Sequence, residues 1–209
     1  MEYANSVKFF SNWCKSNFLQ LNISKTKELT IDFRQVLRPN VPICIDGEPV
    51  EQVVFFKYLG VILDNKLSFS QHTTAIQKKC QQRLHVLRRL RSFNVCPHLL
   101  LLLYRSIVEP LMTYCNVCYF SLLSVVNRNK LLKISHTASK IIGRPTPVLS
   151  ELADNTIVRK ARAITADVNH PLYSCFEMLP SGRRYRCLKC SKLRFSKSFV
   201  PTAIRKLNL

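Results

Sequence analysis

The sequence predicts an α+β chain in three parts. Residues 1–67 form a small unit with one helix, strands and a β-hairpin, 68–145 a mainly α-helical unit, and 146–209 a basic, largely irregular extension. Three observations predict it. Strand-like runs at Leu29–Phe33 and Val41–Ile45 are followed by Asp46–Gly47, a step that suits a tight hairpin because both residues tolerate positive φ. From Ser68 onward, apolar residues recur at helical rather than strand spacing. The charge also changes abruptly: residues 1–64 hold 7 basic and 7 acidic residues, whereas residues 65–209 hold 25 basic and 5 acidic, so the whole net charge of +20 lies in the second part. A hydrophobic content of 47% and an aromatic content of 10% exclude a wholly disordered chain.

Residues 3–19 read as an amphipathic helix with Val7, Phe10, Cys14 and Phe18 near one face and Trp13 at its edge. A strand follows at Leu29–Phe33, then the hairpin, whose second strand falls somewhere in Val53–Leu63. Ser68 with Gln71 three residues later fits a capping box. In the helix after it, Ile76, Cys80, Leu84 and Leu87 share a stripe, Lys78, Arg88 and Arg89 lie opposite, and Arg83 projects within the stripe, where it must snorkel or find a partner. Pro97 suits the first turn of the next helix, which Pro110 bends or stops. Further helices are expected at 111–123, 125–142 and 150–166, with Gly143 as the C-cap of the second. The tail from Asn169 has weak periodicity and is read as irregular.

The charge excess calls for a polyanionic partner. A membrane is disfavoured. The run Leu99–Val126 is interrupted by Arg105, Glu109 and Pro110, and MEYANSVKFFSNW lacks a basic segment followed by an apolar core, so no membrane partner and an intracellular place, nuclear or cytoplasmic, are expected. Phosphate-cradling loops are improbable with four glycines. No HExxH, GxSxG or His-x-Asp pattern occurs, and Glu109, Glu151, Asp154, Asp167 and Glu177 include no adjacent pair able to hold two Mg²⁺ ions. Nine cysteines without a secretory signal suggest a reducing compartment. Cys115–Cys118 and Cys187–Cys190 have zinc-ligand spacing, but 68 residues separate the pairs; the first is read as small buried core residues and the second as chance spacing. No bound metal or other cofactor is expected.

The strings FFSNWCKSNFLQLNISKTKELTIDFR and VEQVVFFKYLGVILDNKLSFSQH resemble reverse transcriptases of non-LTR (LINE-type) retrotransposons. So do KKCQQRLHVLRRL, LLLYRSIVEPLMTYC, HTASKIIG and LPSGRRYRCLKCSKLRFSKSFVPTAIRKLN further along, so the resemblance runs through essentially the whole chain. It implies a partial palm at 1–67, a helical thumb at 68–145 and a C-terminal extension at 146–209. By position Lys25 matches the lysine of the palm's last motif, which approaches the phosphates of the incoming nucleotide; the alternative is that Lys25 and Lys27 alternate on a solvated strand edge. Lys57, Tyr58, Leu59 and Gly60 match the hairpin that grips the primer, with Gly60 permitting close approach; a twisted core strand is the alternative there.

In the thumb, Lys78, Lys79, Arg83, Arg88, Arg89 and Arg91 would face phosphates. Arg183, Arg184, Arg186, Lys189, Lys192 and Arg194 form a second basic patch, with Tyr185 and Phe195 placed to stack on bases. The implied partner is RNA or an RNA–DNA duplex, or a separate palm fragment. The family's metal-binding carboxylates, which hold Mg²⁺ in the intact enzyme, lie upstream of the matched motifs, so the expected fragment grips nucleic acid without performing catalysis. A relic without a role is the second reading. A third rests on residues around 20–34, LNISKTKELTIDFR within them, which are similar to a segment of an AlkB-homologue tRNA methyltransferase family; no iron triad accompanies them.

Overall fold

The structure, a computed structural model, describes residues 2–34 and 42–209. It is more than half helical with a few short strands, an α+β chain. It falls into two compact units, Met1–Phe69 and Ser70–Leu209.

In the first unit, helix α1 (Glu2–Ser16) packs against β2 (Cys44–Ile45), burying Cys14 and Ile45. Lys15 reaches Asp46 at 2.6 Å. Asp46 and Gly47, both at positive φ, make the expected tight turn from β2 to β3 (Glu48–Pro49). Val41, the first residue of the expected strand, lies outside the described residues. The expected second strand at 53–63 is instead a separate hairpin, β5 (Phe55–Tyr58) and β6 (Val61–Asp64), turned by Leu59 and Gly60 at φ 44° and 89°. Both residues being left-handed is the signature of a type I′ turn, whose twist suits the strands. The strand expected at Leu29–Phe33 does not form. Pairing stops after β1 (Lys27–Glu28) meets β4 (Glu51–Gln52) in parallel, and Asp32 turns to bind Arg34 at 2.6 Å.

The predicted apolar face of α1 is covered only in part: Cys14 is buried, but Phe10 and Trp13 are exposed and stack on each other at 6.1 Å, and Phe18, past the helix end, is exposed.

Asp64 organises the exit from this unit. Its carboxylate accepts the amides of Lys66, Ser68 and Phe69 and the Ser68 hydroxyl, all within 2.9–3.1 Å. Burial pushes the carboxyl up, yet those donors together hold it below the usual carboxylate range. They also fix Leu67 and Phe69 at positive φ, a conformation costing about 1 kcal/mol or more per side-chain-bearing residue. Ser68, whose spacing to Gln71 suggested a capping box, donates its hydroxyl to Asp64, and the helix begins at Ser70.

The second unit is built on two long helices, α2 (Ser70–Ser92) and α6 (Val125–Ile142). Between them come α3 (Pro97–Ile107), α4 (Glu109–Thr113) and α5 (Asn116–Tyr119). As expected, Pro97 sits in the first turn of α3 and that helix stops short of Pro110, which falls in the first turn of α4. The single helix expected at 111–123 is broken: Cys115 takes a left-handed φ of 51°, and a 3₁₀ turn follows at Phe120–Leu122.

The stripe on α2 is buried as read, with Ile76, Cys80, Leu84 and Leu87 at most 5% exposed. It meets α6, which buries Leu131, Ile134, Ala138 and Ile142. Each buried Leu or Ile among them contributes about 1.5–3 kcal/mol of transfer free energy. The two helices run in the same direction. Asn127 Nδ2 donates to Ser70 Oγ at 2.9 Å at their starts, and the Arg91 guanidinium lies 3.8 Å from the position of a Cβ on Gly143 at their ends. Gly143, at φ 75°, terminates α6 as expected. Helix α7 (Leu149–Thr165) then carries a second core of Ile157, Ala161, Ile164, Phe176, Ala203 and Ile204. The tail is less irregular than its sequence suggests. Helices α8 (Leu193–Ser196) and α9 (Phe199–Leu207) form, and α9 packs on α7.

Among the described residues no helix is long and apolar enough to cross a membrane.

Candidate nucleic-acid interface

A helix that buries one stripe must present the opposite one. On α2 the residues 180° from the buried stripe are Lys78, Gln82, His85 and Arg89, at the i, i+4, i+7, i+11 spacing of a single row, and all four are exposed. Lys79 and Arg88 flank this row and are exposed too. From Lys78 to Arg89 the row is about 16 Å long, roughly the axial rise of five nucleotide steps. Arg89 also lies 5.6 Å above the Phe93 ring, which orients its guanidinium without neutralising it.

Two of the expected phosphate ligands stand elsewhere. Arg83, at the edge of the buried stripe, is half-buried and donates to the Ile107 carbonyl, so it found the partner its position demanded and ties α2 to the end of α3. Arg91, though exposed, is on the buried side at the helix end, beside Gly143.

Helix α6 adds a row that the sequence reading passed over. Lys133, His136 and Lys140, at i, i+3 and i+7, are exposed opposite Leu131, Ile134, Ala138 and Ile142. The signal was present in the alternation of basic and apolar residues at helical spacing. Residues 70–209 carry 24 Lys and Arg against 5 acids. Of those acids, Asp154 pairs with Lys206 at 2.6 Å, Glu177 with Arg186 at 3.4 Å, and Glu109 is partly buried, its carboxyl pushed up by that burial despite Arg105 nearby. The positive field is left with little to offset it.

The second basic patch lies in the tail, where Arg183, Arg184, Arg186, Lys189, Lys192 and Arg194 are all exposed. Tyr185 does not join them as a stacking surface: its ring turns inward, edge-on to Phe176 at 6.1 Å. Phe195 remains about half exposed.

In the first unit, Lys25 ends a single 3₁₀ turn, Ile23–Lys25, capped by Asn22, whose side chain accepts the Lys25 amide at 3.0 Å. Lys27 lies beyond that turn and pairs with Glu51, so the two lysines do not alternate along a strand edge. Lys57, Tyr58 and Leu59 are exposed on the β5–β6 hairpin together with Phe55 and Phe56, and Gly60 serves its turn. The strand β5 is thus not part of a core.

The cysteines expected to be buried are not. Cys115 is half-buried at the break between α4 and α5 and Cys118 is exposed, because the helix that would have buried them is interrupted. Cys187 is exposed and Cys190 half-buried in the tail. Among the described residues no group of three or more His, Cys, Asp or Glu side chains is placed to hold a metal ion.

Comparison with known proteins gives two kinds of match. A family profile described as alkylated DNA repair protein alkB homolog 8, N-terminal, matches residues 69–110, which covers α2, α3 and the start of α4 rather than the segment around 20–34. Among individual proteins, the chain is 35% identical over 78 residues to the probable RNA-directed DNA polymerase from transposon BS of Drosophila melanogaster, covering 37% of this chain and 9% of that protein. It is 33% identical over 75 residues to the corresponding protein of transposon X-element of the same fly, covering 36% and 8%. Over 143 residues it is 28% identical to the RNA-directed DNA polymerase from mobile element jockey of Drosophila melanogaster, covering 65% of this chain and 15% of that protein. No solved structure matches. Over these segments the chain is a homologue of the RNA-directed DNA polymerases of non-LTR mobile elements, and it spans no more than 15% of the length of these relatives.

Proposed function

We propose that this chain is the part of such a polymerase that grips the sugar–phosphate backbone of RNA or of an RNA–DNA duplex, and that nucleotidyl transfer depends on carboxylates supplied from outside residues 1–209. The observation that carries the reading is the row Lys78–Arg89 on the outer face of α2, held by a helix pair whose buried face leaves it no freedom to turn inward. Cations at the two ends of a rigid helix face, Lys78 and Lys79 at one and Arg88 and Arg89 at the other, can each neutralise a phosphate, and each neutralised phosphate releases condensed counterions. The hairpin bearing Tyr58 and Leu59 supports the same reading as an exposed apolar edge for a strand end. The scattered acids of residues 70–209 support the division of labour, because two-metal chemistry needs carboxylates converging on one point.

The test is fluorescence anisotropy of a labelled RNA–DNA hybrid with the full chain across a series of salt concentrations. Binding is expected to weaken steeply, with log K falling about 0.9 per phosphate contact for each decade of salt. Four contacts would give a slope of about 3.6. A salt-independent signal, or no binding at low salt, removes the reading.

A further inference from the structure

The tail folds back on itself at residues 177–186. Arg186 N donates to the Glu177 carbonyl at 2.7 Å, Leu179 N to the Arg184 carbonyl at 2.8 Å, and Gly182 N to the Leu179 carbonyl at 2.8 Å. Met178 and Tyr185 face each other as an isolated antiparallel bridge. Gly182, at φ 67°, makes the reversal, and a Cβ there would meet nothing, so the backbone conformation alone calls for glycine.

A lone two-stranded turn of this length is marginal in water. This one is held from outside. Asn208, just past α9, accepts the Tyr185 amide at 2.8 Å through Oδ1 and donates through Nδ2 to the Tyr185 carbonyl at 3.0 Å. One side chain thus supplies the paired hydrogen bonds that a third strand would give. The Tyr185 ring anchors the same residue from its other side by packing into the core beneath α7 and α9. Beyond the anchor stand Arg183 and Arg184, consecutive and exposed, and among the described residues neither guanidinium has an acid or carbonyl partner. The neighbouring Arg186 is the one drawn to Glu177.

We propose that the Gly182–Arg184 turn is a preformed prong for two neighbouring phosphates of a nucleic-acid backbone, and that Asn208 is the positioning residue that holds it. The proposal rests on the nucleic-acid reading above and adds a second contact region, separate from the row on α2, together with the residue that fixes it. The turn recognises charge and spacing without reading bases. Tyr185, whose ring the sequence placed to stack on bases, is committed to the core, and residues 180–184 include no aromatic side chain. Fixing the turn in advance removes part of the ordering cost that a flexible basic tail would incur on binding.

The experiment compares four full-length proteins on one labelled hybrid duplex by anisotropy across salt: wild type, Arg183→Ala with Arg184→Ala, Asn208→Leu, and the triple variant. Removing the arginine pair is expected to lower the salt slope by about 1.8 and affinity at 0.1 M salt by roughly ten- to a hundredfold. Asn208→Leu, which keeps the size of the side chain without its hydrogen bonds, is expected to reproduce much of that loss. In the background lacking both arginines, Asn208→Leu is expected to change binding less than twofold. A role in stability alone would weaken binding whether or not the arginines are present, so an undiminished effect in that background overturns the assignment. Should Asn208→Leu fail to fold by circular dichroism, the arginine pair still decides, since both side chains are exposed; a slope unchanged by their removal overturns the prong. If wild type itself does not bind at low salt, the nucleic-acid reading fails first, an outcome distinct from binding that ignores the turn.

Discussion

Reversing two charges on the outer face of α2, Lys78→Glu with Arg89→Glu, is expected to weaken binding of an RNA–DNA hybrid by about a hundredfold at 0.1 M salt. Two counterion-releasing contacts account for most of the loss, and repulsion between the new carboxylates and the phosphates adds to it. The salt slope should fall by about 1.8. Both side chains are exposed and opposite the buried stripe, so the change in folding free energy should stay within about 0.5 kcal/mol. Thermal unfolding monitored by circular dichroism checks that point. Reversal of Lys8, an exposed residue of α1, should by contrast alter binding no more than a few-fold. Equal losses from the two helices would mean that binding follows overall charge and not the α2 face.

Removing the Asp64 carboxylate carries the second large effect, on stability. Asp64→Ala leaves the amides of Lys66, Ser68 and Phe69 without their acceptor while Leu67 and Phe69 still need positive φ. Losing hydrogen bonds to a charged group costs about 2 kcal/mol or more. Trp13, the one tryptophan in the sequence, lies on α1 of the same unit, so urea unfolding followed by its fluorescence reports the change. The pH dependence has a definite sign. The folded carboxyl is held below its unfolded value of 3.8, so its contribution is fully present above about pH 4 and is lost as pH falls through the lower folded value. The difference between wild type and Asp64→Asn should therefore be constant from pH 5 to 7 and shrink in acid; a difference that grows in acid would contradict this account of the turn.

Much of the helical unit was legible because its signals are local. The stripe Ile76–Cys80–Leu84–Leu87, the prolines at 97 and 110 and the cap at Gly143 all act within a turn or two of chain. The misreadings share a different cause. Leu29–Phe33 has strand composition, but a strand needs a pairing partner, and only Lys27 and Glu28 have one. The break at Cys115 sits inside an apolar run that periodicity alone would continue.

The outer row of α2 was readable residue by residue, whereas the row on α6 required asking what lies opposite Leu131 and Ala138. The hold of Asn208 on Tyr185 spans 23 residues and depends on a folded α9, so no local pattern announces it.

Lysine reactivity of the full chain toward an acylating reagent, read by mass spectrometry with and without saturating hybrid duplex, measures most directly where nucleic acid sits. Lys78, Lys79 and Lys133 are expected to lose most of their reactivity, and Lys8 on α1 to keep it. Unchanged reactivity along α2 and α6 in the bound state, or protection confined to residues before Phe69, would contradict a backbone grip built on the second unit.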